Sequence, residues 1–394
     1  MRPAFEVADI FRRHGGCYRR ENAGHLSRGE RRVMGAIEAC RTPRLGGHVD
    51  ACDECGTTRI SYNSCRNRHC PKCQGIARRG WVAARICDLL PVQYFHVVFT
   101  LPPGIAEIAF HNKAVVYALL MRIAAQTLQT VAADPKRLGA EIGIIAVLHT
   151  WGQAMTHHPH VHCVIPGGGL SPDKSKWIAS RPGFFLPVRV LSRVFRRLFL
   201  TALADAFAQR KLRFSNALAR LADPTAFTSH LAHARRSEWV VYAKPPFGGP
   251  DQVLAYLGRY THRVAIANSR IVGADDEHVD FRWKDYRRQG HDREKIMRLD
   301  PLEFIRRFLL HVLPDGFHRM RHFGFLANSH RRQRIALCRD LLGQRSTSAE
   351  QPHCLNPNQG YPFTCPECDR PMRRMKANIR PAQARSSSFR CDTS

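Results

Sequence analysis

The sequence predicts an α+β protein, with helices packed on an antiparallel sheet and a helical, zinc-binding segment ahead of them. Two observations carry this. The middle of the chain mixes β-rich apolar runs with long helical runs. Cysteines at metal-ligand spacing crowd a short stretch near the N-terminus. A length of 394 residues allows two or three domains, and 44% hydrophobic with 24% charged residues is ordinary for a globular chain. A wholly disordered basic protein is thereby excluded.

Residues 1–50 read as helical. Ser27-Arg-Gly-Glu30 is a capping-box pattern, so a helix is expected from about 28 to 40, broken at Leu45-Gly-Gly-His48. Residues 93–101, QYFHVVFTL, form a strand stopped by Pro102-Pro103. One long helix is expected over 104–133, ended by Asp134-Pro135. Strands follow at 142–151 and 158–165, the latter closed by Gly167-Gly-Gly169, then a helix at 187–211 and a strand at 238–244. A helix is expected at 250–260, then a hairpin of 263–272 and 278–286 turning at Asp275-Asp-Glu277, and a helix at 301–313. From 345 onward Ser, Thr, Pro, Gln and Asn predict a linker and tail. The expected domains are 1–90, 91–300 and 301–394.

Charge narrows the partners. Sixty-one Lys and Arg against 32 Asp and Glu leave a net +29, which calls for a polyanion, nucleic acid before an anionic membrane surface. No run of 18 apolar residues suggests a membrane span. No secretory leader is apparent, so a reducing, cytoplasmic setting is expected.

In such a setting clustered cysteines indicate metal. Cys52-x2-Cys55 and Cys70-x2-Cys73 are separated by 14 residues, and two CxxC turns can close one tetrahedral zinc site. Cys65 and His69, with His48, lie beside them as substitutes or as parts of a second site. A closed site is structural, presenting neighbours such as Arg66 and Arg68 to DNA. Cys365-Pro-Glu-Cys368 is a further half-site, which Cys354, His353, Cys338 or Cys391 could complete.

His160-Val-His162 places two imidazoles on one face of a strand, where they can chelate a divalent ion. By itself the pattern is weak in a chain with 21 His. Tyr256-Leu-Gly-Arg-Tyr260 adds two phenols stacked at i, i+4 on one helix face. Gln153 is the candidate third ligand, and His149 the reserve. Arg259, Arg263 and Lys244 flank the tyrosines and could contact phosphates.

These residues together resemble the HUH endonuclease superfamily, and more closely the two-tyrosine rolling-circle transposases of bacterial insertion sequences. The matching segments are CRTPRLGGHVDACDECG, SCRNRHCPKCQ, FHVVFTLPP, LHTWGQAMTHHPHVHCVIPGGG, YLGRYTHRVAIANSRI and FRWKDYR, in family order, over roughly residues 10 to 330. The resemblance implies a ferredoxin- or RRM-like nuclease sheet in a bacterial, nucleoid-associated protein. It also implies Mg²⁺ or Mn²⁺ on the histidines, and tyrosine attack on single-stranded DNA that leaves a 5′-phosphotyrosine. A plasmid replication initiator or relaxase would share the His pair and tyrosine, but the zinc cluster ahead of FHVVFTLPP favours a transposase. A non-catalytic zinc DNA-binding protein is the alternative of another class.

The charge excess makes one prediction independent of catalysis. DNA affinity should fall steeply with salt, each phosphate contact adding about 0.7 to the log–log slope on single strands. A flat salt titration would exclude a nucleic-acid partner.

Overall fold

The computed structural model describes residues 4–75, 88–247, 252–253, 258, 265–285, 293–343 and 364–380. It is a mixed α and β structure whose sheets are antiparallel.

Helices α1 (Val7–Glu21) and α2 (Arg28–Ala39) open the chain. The capping box forms as expected: Glu30 N donates to Ser27 Oγ at 3.2 Å, and Ser27 N donates to the Glu30 carboxylate at 2.8 Å. Strands β1 (Gly47–Cys52) and β2 (Thr58–Tyr62) then make a hairpin that was not anticipated within the metal-binding stretch. A side chain at Gly47 would come within 2.7 Å of the Ser61 carbonyl, so the hairpin closes only on glycine.

Next come β3 (Tyr94–Thr100), α3 (Pro103–His111), α4 (Lys113–Ala133), β4 (Gly143–Trp151) and β5 (His157–Pro166). The single helix expected over 104–133 is two. Asn112, at φ −125°, parts them, and its side chain accepts from Arg213 N at 2.7 Å and donates to Arg213 O at 2.9 Å. A side chain committed to another backbone segment competes with helix continuation. Helix α4 is long and apolar enough to cross a membrane. Here it is a core helix, packed with the central strands and the helix α5 described next.

The chain continues through β6 (Gly168–Leu170), β7 (Trp177–Ala179), α5 (Val188–Ala208), α6 (Pro224–Arg236) and β8 (Val241–Phe247). Strands β9 (Ile271–Ala274) and β10 (Val279–Lys284) form the expected hairpin, extended by β11 (Glu294–Leu299). Helix α7 (Pro301–Leu309), β12 (Met320–Gly324), α8 (Arg331–Leu341) and β13 (Met372–Ile379) complete the order. Most of the helix expected at 250–260 lies outside the described residues; Gln252, Val253 and Gly258 are helical.

The main sheet has the order β12-β4-β5-β3-β8. Alternation sorts its side chains onto two faces. One face, with Phe95, Val97, Phe99, Ala146, Leu148, Val161 and Cys163, is buried under α4 and α5. The other carries Tyr94, Ile145, Val147 and Val164, covered by Ile335 and Cys338 of α8 and by Val253. The histidines share this second face. The tail is more than a linker: β13 pairs with the edge of β1.

Three contacts hold the turn between β4 and β5. Arg270 donates to Gln153 O at 2.7 Å, Arg307 to Ala154 O at 3.1 Å, and His311 Nε2 to Met155 O at 3.0 Å. Met155 sits at φ +58°, fully buried, a conformation that such contacts must hold in place. Burial pushes His311 down to about 3 and His157 down to about 4, from an ordinary 6.5. Below pH 6.5 the unfolded chain therefore takes up protons that the folded one refuses, so stability is full above that pH and falls as pH drops. Between pH 7 and 5.5 urea unfolding should lose about 1 kcal/mol for His311 alone. His311→Asn should flatten that part of the pH dependence, whatever its cost at pH 7.

Candidate metal centres and active site

The expected zinc cysteines come together in two quartets, not one. Cys40, Cys65, Cys70 and Cys73 form the first, and Cys52, Cys55, Cys365 and Cys368 the second, with the sulfurs of each within 4.8 Å of one another. The β1–β2 hairpin explains the split. Cys40 ends α2 just before β1, whereas Cys52 lies at the far end of β1, six extended residues or about 20 Å along. The turn Cys52–Cys55 is thus carried away from Cys70 and Cys73, while the chain returning along β2 brings Cys65 back to them. The CxxC spacing was legible, but the pairing depended on a hairpin that was not.

Within the first quartet Cys73 lies 3.6 Å from both Cys40 and Cys65. Cys40, Cys70 and Cys73 are buried in a core that also takes residues of α1, α2, α7 and β9–β11. Hydrogen bonding among the four sulfurs pushes the Cys40 and Cys73 thiols down and the Cys65 and Cys70 thiols up, so the quartet titrates as a unit. His69 joins neither quartet. Its Nε2 accepts from Leu313 N at 3.1 Å, and burial pushes it down to about 3. Arg68, expected at DNA, donates instead to the carbonyls of Pro314, at 2.6 Å, and Phe317. Arg66 is exposed, at φ +52°.

The third centre is built of imidazoles. His149, His160 and His162 lie together, with ring centroids 4.3 Å apart for His149–His162, 4.8 Å for His160–His162 and 5.5 Å for His149–His160. Register does this: His149 on β4 stands directly opposite His160 on β5, and Val147 opposite His162. His149, the reserve candidate, thus joins the pair, while Gln153 lies in the β4–β5 turn with its carbonyl bonded to Arg270. Trp151 stacks on His149 at 4.6 Å.

A fourth histidine was missed. His96 on β3, fully buried, has its Nε2 2.8 Å from His162 Nδ1, with the two rings nearly parallel. Its signal was present: it lies at even spacing from Val98, which pairs with His162. His160 Nδ1 donates to His158 O at 2.6 Å. Both contacts are made through Nδ1, and such contacts commonly orient metal-binding imidazoles. Burial pushes His160 down to about 4 and His96 down to about 3, and lowers His162 in the same direction. These rings are therefore neutral at pH 7, the form that binds metal.

Tyr256, Tyr260, Arg259 and Arg263 lie outside the described residues. Val253, three residues before Tyr256, is fully buried in the cluster that contains Val147 and Val164, neighbours of His162 on the histidine face. Lys244, exposed on β8, pairs in register with His96.

The family described as "Putative transposase" matches residues 143–334, and the "Transposase zinc-binding domain" matches residues 10–101. The chain is 63% identical to "Putative transposase y4qJ" of Sinorhizobium fredii over 338 residues, 86% of this chain and 84% of that protein. The chain belongs to the insertion-sequence transposase family. The transposase is also 28% identical to "Transposase for insertion sequence element IS801" of Pseudomonas savastanoi pv. phaseolicola, over 74% of this chain and 68% of that one. No solved structure matches it. The zinc-binding domain spans all four cysteines of the first quartet, whose sulfur chemistry fits structural zinc.

Cys40→Ser should therefore release zinc from the purified transposase and destabilise the segment from α2 to Gln74, because metal binding in such a site is folding energy. Unchanged zinc content would contradict Cys40 as a ligand.

Proposed function

We propose that the transposase nicks and rejoins single-stranded DNA through a covalent tyrosine link, driving rolling-circle transposition. The observation that carries this reading is the triad of imidazoles on the central strands of an antiparallel sheet, the arrangement expected of an HUH-type nuclease. Val253, three residues before Tyr256 in the sequence, is buried on the same face of the sheet.

The triad fits a divalent ion, held by His149, His160 and His162 with His96 orienting His162. Its all-imidazole donor set favours Mn²⁺ over Mg²⁺. When bound, such an ion supplies Lewis-acid polarisation of the scissile phosphate.

The remaining chemistry belongs to the chain. Tyr256 or Tyr260 loses its proton and attacks phosphorus. The bond to the 3′ oxygen breaks, that oxygen takes up a proton, and the 5′ phosphate stays on the phenol. The phosphodiester energy is retained in the new ester, so a free 3′-OH can reverse the step without ATP. A phenol of ordinary pKa about 10 is a weak nucleophile at pH 7, so transition-state stabilisation must carry much of the rate. Two phenols allow one end to be held while a second strand is cut. Arg259, Arg263 and Arg66 are the proposed phosphate contacts, and the net charge of +29 supports DNA as the partner.

Incubation with labelled single-stranded element ends and Mn²⁺ should give a covalent adduct. His160→Ala and His149→Ala should each reduce it by at least 100-fold while leaving DNA binding within a few-fold. Gln153→Ala should change it little. Tyr256→Phe with Tyr260→Phe should abolish it. An adduct that survives the double substitution, or that maps to Tyr242, which is exposed on the histidine face, would overturn the assignment.

A further inference from the structure

The second cysteine quartet is assembled from the two ends of the chain. The zinc-binding domain matched at 10–101 contains Cys52 and Cys55, but Cys365 and Cys368 lie beyond both family matches. We propose that these four cysteines bind a second zinc ion, which latches the C-terminal strand β13 onto the zinc-binding domain.

The sulfur geometry supports this directly. Cys52–Cys368 is 3.5 Å, Cys55–Cys365 is 3.4 Å and Cys55–Cys368 is 3.7 Å. A tetrahedral ion with Zn–S bonds of about 2.3 Å sets its sulfurs about 3.8 Å apart. Disulfide sulfurs would stand about 2.05 Å apart, so the quartet has metal spacing.

The backbone gives an independent argument. The two CxxC turns have the same hydrogen-bond pattern. Cys52 N donates to Thr57 O at 2.9 Å and Gly56 N to Cys52 O at 3.0 Å; Cys365 N donates to Arg370 O at 2.7 Å and Asp369 N to Cys365 O at 2.9 Å. In each turn the residue after the second cysteine is left-handed, Gly56 at φ +71° and Asp369 at φ +55°. Glycine adopts this conformation freely, and Asp is among the side chains that best tolerate it. Two turns of one design, 310 residues apart in sequence, thus present their thiols to each other. Isolated thiols in a tail would not need this matched framework.

The latch is continuous with the sheet. From Cys368 the chain runs into β13, which pairs along β1 from Met372–Cys52 to Ile379–Gly47. Asp53, inside the first turn, accepts from Arg373 of β13 at 3.0 and 3.1 Å. Among the described residues apolar support is small: Cys52, Cys365 and Met372 form a cluster of their own, apart from the larger cores. With little apolar contact beyond the strand pairing and the Asp53–Arg373 pair, a metal at the quartet would add the tie at the Cys368 end of the strand. Cys55 and Cys368 are also exposed, unlike the buried sulfurs of Cys40 and Cys70, so this ion is the more accessible to chelators.

The test uses the full-length transposase and makes no use of strand cleavage, so its outcome is separate from that of the proposed activity. Elemental analysis of Cys365→Ser/Cys368→Ser should show one zinc fewer per chain than the wild type, and Cys52→Ser should show the same loss. Hydrogen exchange at the β13 amides should accelerate at least tenfold in either variant, while α1 and α2 keep their protection. A graded chelator should release this zinc from the wild type first, with the same exchange signature, which covers the case of a variant that does not fold. Unchanged zinc content in the cysteine variants, or loss of the zinc with β13 still protected, would overturn the proposal.

Discussion

Everything at the candidate active site depends on the register of the β4–β5 hairpin. A slip of one residue would turn His160 and His162 into the apolar face now filled by Val161 and Cys163, and Leu148 would replace His149. The hairpin is therefore pinned twice. Below, one face of the sheet is buried against α4 and α5, so slippage would drive imidazoles into an apolar core and take valine and leucine out of it. At the turn, three consecutive carbonyls are bonded by Arg270, Arg307 and His311. Those residues come from later in the chain, so the part of the molecule that follows the tyrosine segment also sets the geometry of the histidines.

The zinc-binding end uses a different strategy. Its first quartet sits inside a core shared with α7 and β9–β11, so the metal reinforces a packed interior. Its second quartet belongs, among the described residues, to a small cluster of Cys52, Cys365 and Met372. The proposed second zinc would thus act where apolar area is scarce, as metals commonly do in small or peripheral units. Basic residues divide in the same way. Arg68 is committed to backbone carbonyls, while Arg66 is exposed.

Much of this was legible in the sequence, for identifiable reasons. The capping box at Ser27, the strand runs stopped by Pro102 and Gly167, and the hairpin turning at Asp275 are local signals, and local geometry obeys them. The His-x-His pair was legible because strand alternation is a local rule. What failed was non-local. The break at Asn112 follows from a bond to Arg213, 101 residues away. The approach of His149 to His160 depends on cross-strand register, which sequence spacing does not give. The tail read as linker contains β13, whose partner β1 lies more than 300 residues earlier. The cysteine pairing failed for the same reason.

The central claim is that register builds a three-imidazole metal site. Electron spin-echo spectroscopy of Mn²⁺ bound to the transposase tests it most directly, since it counts coordinated histidine nitrogens without requiring DNA or turnover. Couplings from three imidazoles are predicted in the wild type, falling to two in His149→Ala with weaker Mn²⁺ affinity, and remaining at three in Gln153→Ala. Only two couplings in the wild type, unchanged by His149→Ala but altered by Gln153→Ala, would contradict it.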